Sequence, residues 1–199
     1  MGTRSLICVF KDGKYKVAQY SQWDGYPEGQ GIGVLKFLTK EMDRNLFETK
    51  LNMVRFGTEE ELNKQWKECG ADDSGWVNME VSNRHKKLYP ENDRDTGSDI
   101  LSIIQNTNKP LVLENSLEFA ADSLFCEWAY VIDLDKNTFE VYEGFNQEPL
   151  DDNERFSFLD YNPPHRTDKY YPVRLVAIFD INNLPTEEEF LNTFKSDED

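Results

Sequence analysis

The sequence predicts an α+β fold: a mainly antiparallel sheet of about five strands, two hairpins plus a C-terminal strand, layered with helices in the manner of an α/β/β/α sandwich. Three observations carry this expectation. Asp12-Gly13 separates two short apolar segments near the N-terminus, and Asp135-Lys136-Asn137 separates two more. The helical periodicities are grouped between these hairpins instead of alternating with strands. Grouped helices argue for α+β, and hairpins argue for antiparallel pairing.

Taken in order, Ser5 to Phe10 is a continuous apolar run, as expected of a strand buried on both faces. Asp-Gly favours positive φ at both corners of a type I′ turn, and Tyr15 to Tyr20 resumes as the second strand. After Gly33, Val34, Leu35, Leu38 and Met42 repeat at helical spacing, and Phe47, Leu51 and Val54 continue in a second amphipathic segment. Thr58 followed by Glu61 reads as a capping box that opens a helix through Leu62 and Trp66 to Gly70. Val77 to Leu88 is expected to be helical. Pro90 to Gly97 is the most polar mid-chain stretch and is expected to be a mobile loop or subdomain edge within a single domain spanning 1–199. A helix follows from Ser98-Asp99, with Ile100, Leu101, Ile103 and Ile104 apolar. Leu124 to Leu134 and Thr138 to Tyr142 form the second hairpin. Residues 144–166 are turn-rich, and Val173 to Ile181 is the last strand, read as another buried sheet centre. Thr186 and Glu189 form a second capping box for a final helix.

Composition narrows the function classes. The 199-residue chain is 38% apolar and 13% aromatic, which suits a globular domain and not a disordered one. No apolar run approaches the ~18 residues of a membrane span, and no leader segment precedes the first strand, so a soluble cytoplasmic protein is expected. Cys8, Cys69 and Cys126 are odd in number and widely spaced, giving neither a disulfide framework nor a metal motif. The two histidines, His85 and His165, complete no zinc signature, and no cofactor motif is present. Asp133 to Asn137 only superficially resembles a calcium loop and reads as a turn. Net charge is −16, divided as +1 over residues 1–90 and −17 over residues 91–199. That balance argues against nucleic-acid binding and leaves an acidic half able to meet a basic protein partner.

The densest concentration of turn formers and aromatics is the stretch from Gln19 to Gly33, which lies between the first hairpin and the first helix. Asp24 precedes Gly25, Tyr26-Pro27 sets an extended bend, and Gly29, Gly31 and Gly33 lead into a helix. Free N–H groups at a helix N-terminus would accept an anion, although neither the dinucleotide-binding nor the P-loop pattern is present. Trp23, Asp24, Tyr26 and Glu28 are therefore the candidate binding residues of this loop. Glu127 joins them because it interrupts an apolar run. A carboxylate there must face solvent, pair with a cation such as Arg4, or hold a raised pKa.

The segment Met1-Gly2-Thr3-Arg4-Ser5-Leu6-Ile7-Cys8, the Asp-Gly turn and Gln22-Trp23-Asp24-Gly25-Tyr26-Pro27 together resemble a family of uncharacterised proteins from phages, bacteria and fungi. Those begin Met-(Ala/Gly)-Thr-Arg-Ser and carry (His/Gln)-(Trp/Phe/Tyr)-Asp-Gly-Tyr-Pro after the first hairpin. Phe125-Cys126-Glu127-Trp128-Ala129-Tyr130 looks like the version in fungal members. The resemblance implies that Arg4, Gln22, Asp24 and Tyr26 act together, which adds Arg4 and Gln22 to the candidate binding residues, and it implies no reaction.

The leading expectation is a domain that binds a small polar or anionic ligand at the Trp23–Gly33 loop. A hydrolase of the N-terminal-nucleophile kind is the alternative, because Thr3 opens a strand near the N-terminus. It requires processing that frees the Thr3 amine. Cys126 with a histidine base is a further arrangement, set against the reading of Cys126 as a small buried residue. A third class is an acidic protein-interaction module.

Overall fold

In a computed structural model, which describes residues 2–72, 74, 76–159 and 170–195, the chain forms a five-stranded sheet, a two-stranded ribbon and six short helices. Strands β1 (Ser5–Lys11) and β2 (Lys14–Ser21) make the N-terminal hairpin. Asp12 and Gly13 hold φ of 55° and 73°, the left-handed pair that the Asp-Gly turn requires. β5 (Trp128–Asp133) and β6 (Thr138–Glu143) make the second hairpin, and β7 (Arg174–Asp180) adds to β6. The sheet order is β2-β1-β5-β6-β7, antiparallel except where β1 meets β5. That parallel pair sets Ser5 opposite Trp128 and Phe10 opposite Asp133, which brings the two hairpins together at the centre of the sheet.

Period-two alternation divides the sheet between two cores. Ile7, Val9, Tyr130, Ile132, Phe139 and Val141 point to one face. There they meet α1 (Ile32–Lys36), α2 (Arg44–Leu51), α5 (Asp99–Asn106) and α6 (Glu187–Asn192). Leu6, Cys8, Ala129, Val131 and Tyr142 point to the other face. Irregular chain covers it there, including the 3₁₀ turn Leu117–Ala121 and Phe156. Each fully buried Leu, Ile, Val or Phe side chain among them contributes roughly 1.5–3 kcal/mol through loss of apolar surface from water. Phe139 stacks on Phe190 with centroids 5.7 Å apart, which fixes α6 against the sheet.

Helix ends follow the expected local chemistry. Thr58 and Glu61 form a reciprocal capping box at α3 (Glu59–Glu68), and Thr186 and Glu189 form another at α6. Asn78 caps α4 (Met79–Leu88) by accepting from the Val81 N–H.

Several elements differ from the expectation. Val54 does not continue α2. Asn52 and Met53 turn the chain, and Val54 begins β3 (Val54–Phe56), which pairs in parallel with β4 (Leu111–Leu113). The β5 strand starts at Trp128 and not at Leu124, because residues 123–125 turn and the Cys126 N–H bonds back to the Asp122 carbonyl. The last strand is not a buried centre. β7 is bonded only to β6 at the end of the sheet order, and Ile178 is 55% exposed. Pro90 to Gly97 is tied at several points. Asn92 donates to the Val112 carbonyl, Thr96 donates to the Pro90 carbonyl, and the Arg94 carbonyl accepts from the Gln22 N–H. No helix among the described residues is long and apolar enough to cross a membrane.

Candidate functional site

The loop after β2 is built by main-chain bonds before any side chain is considered. Ser21 Oγ donates to the Trp23 carbonyl at 3.2 Å, and Asp24 turns the chain at φ 55°. Gly25 then passes so close to β1 that a Cβ there would lie 2.8 Å from the Arg4 carbonyl carbon. Its N–H donates to the Thr3 carbonyl at 3.0 Å, and its own carbonyl accepts from the buried Tyr130 hydroxyl at 2.8 Å. The helical run then begins at Pro27, with π-helical turns at Pro27–Gly31 and Phe37–Glu41 on either side of α1.

This early start removes the anion cradle expected at the glycines. Gly29 and Gly31 donate to the Tyr26 carbonyl, and Gln30 donates to the Asp24 carbonyl, so these N–H groups are spent inside the helix. Gly29 is needed for another reason, since a Cβ there would sit 2.1 Å from the Asp24 carbonyl oxygen. The Gln30 side chain completes the seal by bonding the Trp23 carbonyl and accepting from the Ser98 N–H.

The candidate side chains fall into two groups. Trp23, Asp24, Tyr26 and Glu28 are exposed, with Trp23 at 47% and Tyr26 at 53%. Arg4, Gln22 and Glu127 are half-buried beside the start of β1. The Arg4–Glu127 side-chain pair expected from the sequence does not form. Glu127 instead accepts from the Arg4 backbone N–H at 3.3 Å and donates its own N–H to the Arg4 carbonyl. The Arg4 guanidinium lies over the Phe125 ring, 4.6 Å from its centroid, and its buried Nε has no hydrogen-bond partner.

Two residues that the sequence did not single out complete this half of the site. Tyr20, opposite Leu6 in the hairpin register, donates its hydroxyl to Gln22 Oε1 at 2.8 Å. Burial pushes the Tyr20 hydroxyl pKa up, while the positive charges of Arg4 and Arg94 pull it down. Both guanidinium groups therefore act on the same phenol. Arg94 comes from the polar stretch before α5, whose carbonyl holds Gln22. No periodicity marks such a residue. Only the chain crossing over β2 brings it to Tyr20.

Among the described residues, the other arrangements suggested by the sequence do not assemble as chemistry. Cys126 is buried, its pKa is pushed up by desolvation, and its Sγ lies 3.5 Å from the Trp128 carbonyl. A neutral thiol in that environment is not a nucleophile. His165 lies outside the described residues, and His85 is stacked on Trp66 in the α3–α4 layer. Thr3 is buried, and its carbonyl is committed to Gly25. Asp133 closes a turn by accepting from the Asp135 and Lys136 N–H groups.

A buried ionic cluster on the irregularly covered face of the sheet also escaped the sequence reading. Arg155 donates Nε to Glu140 Oε2 at 2.6 Å and Nη2 to Glu140 Oε1 at 2.9 Å, and it also bonds Asp133. Glu140 further accepts from the hydroxyls of Tyr142 and Thr138. Burial opposes ionisation of Glu140, but Arg155 and Tyr142 hold its carboxyl below the usual range. A cavity of about 420 Å³ lies against this cluster, bordered by Tyr15, Phe158 and Ile178. Every oxygen of both carboxylates is occupied, so the cluster anchors the 151–157 segment to the sheet and leaves no open coordination for a ligand.

Compared with protein-family models, with curated proteins and with solved structures, the chain matches none, so its chemistry is read from its own residues.

Proposed function

We propose that this protein binds a small ligand through an anionic group, a carboxylate or a phosphate, at the face formed by Arg4, Tyr20, Gln22 and Arg94 beside the Trp23–Gly33 loop. The observation that carries this reading is the Arg4 guanidinium. Its buried Nε has no hydrogen-bond partner, and the group rests on Phe125 without an ion pair among the described residues. A buried donor left unpaired costs about 1–3 kcal/mol, a cost that an oxyanion at this position offsets. A guanidinium presents a planar fork of donors that matches carboxylate and phosphate geometry, and an aromatic face beneath it keeps that fork oriented. Arg94 adds a second positive charge that acts on the Tyr20 hydroxyl, and that hydroxyl donates to Gln22. Trp23, Asp24, Tyr26 and Glu28 border this face as exposed side chains able to contact the rest of a ligand.

Thermal melts and calorimetric titrations with inorganic phosphate, pyrophosphate and citrate test the reading on wild type, Arg4→Met and Arg94→Gln. A ligand at 100 times its Kd stabilises the folded chain by about 2.7 kcal/mol, well within the range of a melt. The expected result is a saturable upward shift for wild type, lost in Arg4→Met and reduced in Arg94→Gln. No shift with any of the three anions, or an equal shift in Arg4→Met, rejects the reading.

A further inference from the structure

The α3–α4 layer has a cavity of its own, which shares Arg94 but not Arg4, Tyr20 or Gln22 with the proposed anion face. Helix α3 begins at its capping box and carries Trp66 on its inward side, yet none of its residues is fully buried. Helix α4 contributes Val81 and His85 as its buried residues. The His85 imidazole lies flat on the Trp66 indole, 3.6 Å between centroids with the planes 7° apart, and Tyr89 tilts against it at 5.4 Å. His85 is 1% exposed, and its Nδ1 has no hydrogen-bond partner. A polar ring atom sealed into a structure without a partner is uncommon, because desolvating it brings no return.

Beside this stack is a cavity of about 500 Å³, within the range of small-molecule sites. Its apolar lining comes from Trp66, Val77 and Met79, and its polar lining includes Ser82, His85 and Glu114. Met79 is 80% exposed, a flexible and polarizable side chain held in solvent at the edge of the cavity. The charged lining sets Asp93 and Glu114 against Arg94, so it is of mixed sign.

We propose that the cavity beside the Trp66–His85 stack is a binding site for a planar nitrogen heterocycle of nucleoside size. Such a ligand satisfies both halves of the lining. Its apolar surface packs against the lining of Trp66, Val77 and Met79, and its ring edge supplies donors and acceptors to Ser82, His85 and Glu114. An aliphatic ligand leaves those polar groups unpaired, and a fully charged one exchanges good hydration for a mixed-sign lining. The proposal is independent of the anion reading. Because Arg94 also lines this cavity, the probes are nucleosides and not nucleotides, so that no phosphate contributes.

Adenosine, guanosine, cytidine and uridine are titrated singly into the full chain up to low millimolar concentration, with calorimetry and tryptophan fluorescence as readouts. The expected result is saturable binding of at least one nucleoside with quenching of tryptophan emission. His85→Phe retains a ring on Trp66 and removes Nδ1, and it is expected to weaken that binding about tenfold, or 1.4 kcal/mol. Ser82→Phe projects a ring into the cavity from an exposed helical position and abolishes binding, while its melting temperature reports that the fold is intact. Absence of saturable binding by all four nucleosides overturns the proposal. So does wild-type affinity in a folded Ser82→Phe variant, or toluene binding as tightly as the best nucleoside.

Discussion

The buried hydroxyl of Tyr130 donates to the main-chain carbonyl of Gly25 at 2.8 Å, joining the centre of the sheet to the loop after β2 across 105 residues of sequence. Tyr130 lies on the helix-covered face, where its ring belongs to the main core and its polar end reaches the loop. The Arg4 face therefore stands on a rigid base. Gly25 is held from one side by Thr3 and from the other by Tyr130.

Tyr130→Phe preserves the ring and removes this bond. It leaves the Gly25 carbonyl buried without its partner, and we expect a loss of about 1–2 kcal/mol in urea unfolding. An unchanged midpoint would mean that water replaces the hydroxyl.

Gly29→Ala tests the close approach in the same loop. In an ordinary helix interior, replacing Gly by Ala stabilises by about 1 kcal/mol. Here the new Cβ meets the Asp24 carbonyl oxygen at 2.1 Å, so the sign reverses and the melting temperature falls. A rise in melting temperature would show that the Asp24 turn relaxes freely.

Arg155→Met removes the cation shared by Asp133 and Glu140. Leaving buried carboxylates unpaired costs about 3–5 kcal/mol at neutral pH. The pH dependence has a definite sign. Glu140 has its folded pKa below the ordinary glutamate value, so its contribution is present above that value and is lost as pH falls through the lower folded one. Without Arg155 the buried Glu140 carboxyl binds protons more readily in the folded state. The gap between variant and wild type should therefore narrow on going from pH 7 to pH 4 in urea titrations, and a constant gap counts against this account.

His85 gives a second pH signature of its own. Burial lowers its pKa below that of an ordinary histidine, with Asp93 opposing. The unfolded chain then binds the proton more tightly than the folded chain, so stability is full above about pH 6.5 and declines as pH falls below it. His85→Phe should flatten that part of the stability profile, and a profile identical to wild type would assign the slope elsewhere.

How much was legible in advance depends on the distance over which each feature is specified. Asp12-Gly13 imposes its positive φ pair within two residues, and Thr58–Glu61 and Thr186–Glu189 close their boxes within one helical turn, so these were readable from neighbours alone. The candidate site was legible in part. Arg4 and Gln22 were named from the sequence, but Tyr20, whose hydroxyl donates to Gln22 and lies in the field of Arg4 and Arg94, was not among the candidates. The glycine run suggested free amides, because composition does not reveal that the helix begins at Pro27, ahead of them.

By itself the sequence determined the α+β class, the two hairpins, the capped helix starts and the acidic imbalance, all consequences of local backbone preference and side-chain periodicity. Tertiary structure alone decided the parallel junction of β1 with β5, the edge position of β7, the Arg155 cluster and the flat stacking of His85 on Trp66. These join residues far apart in the chain. No local propensity encodes them, because each contact exists only when the whole core closes and makes the remaining partner the only one within reach.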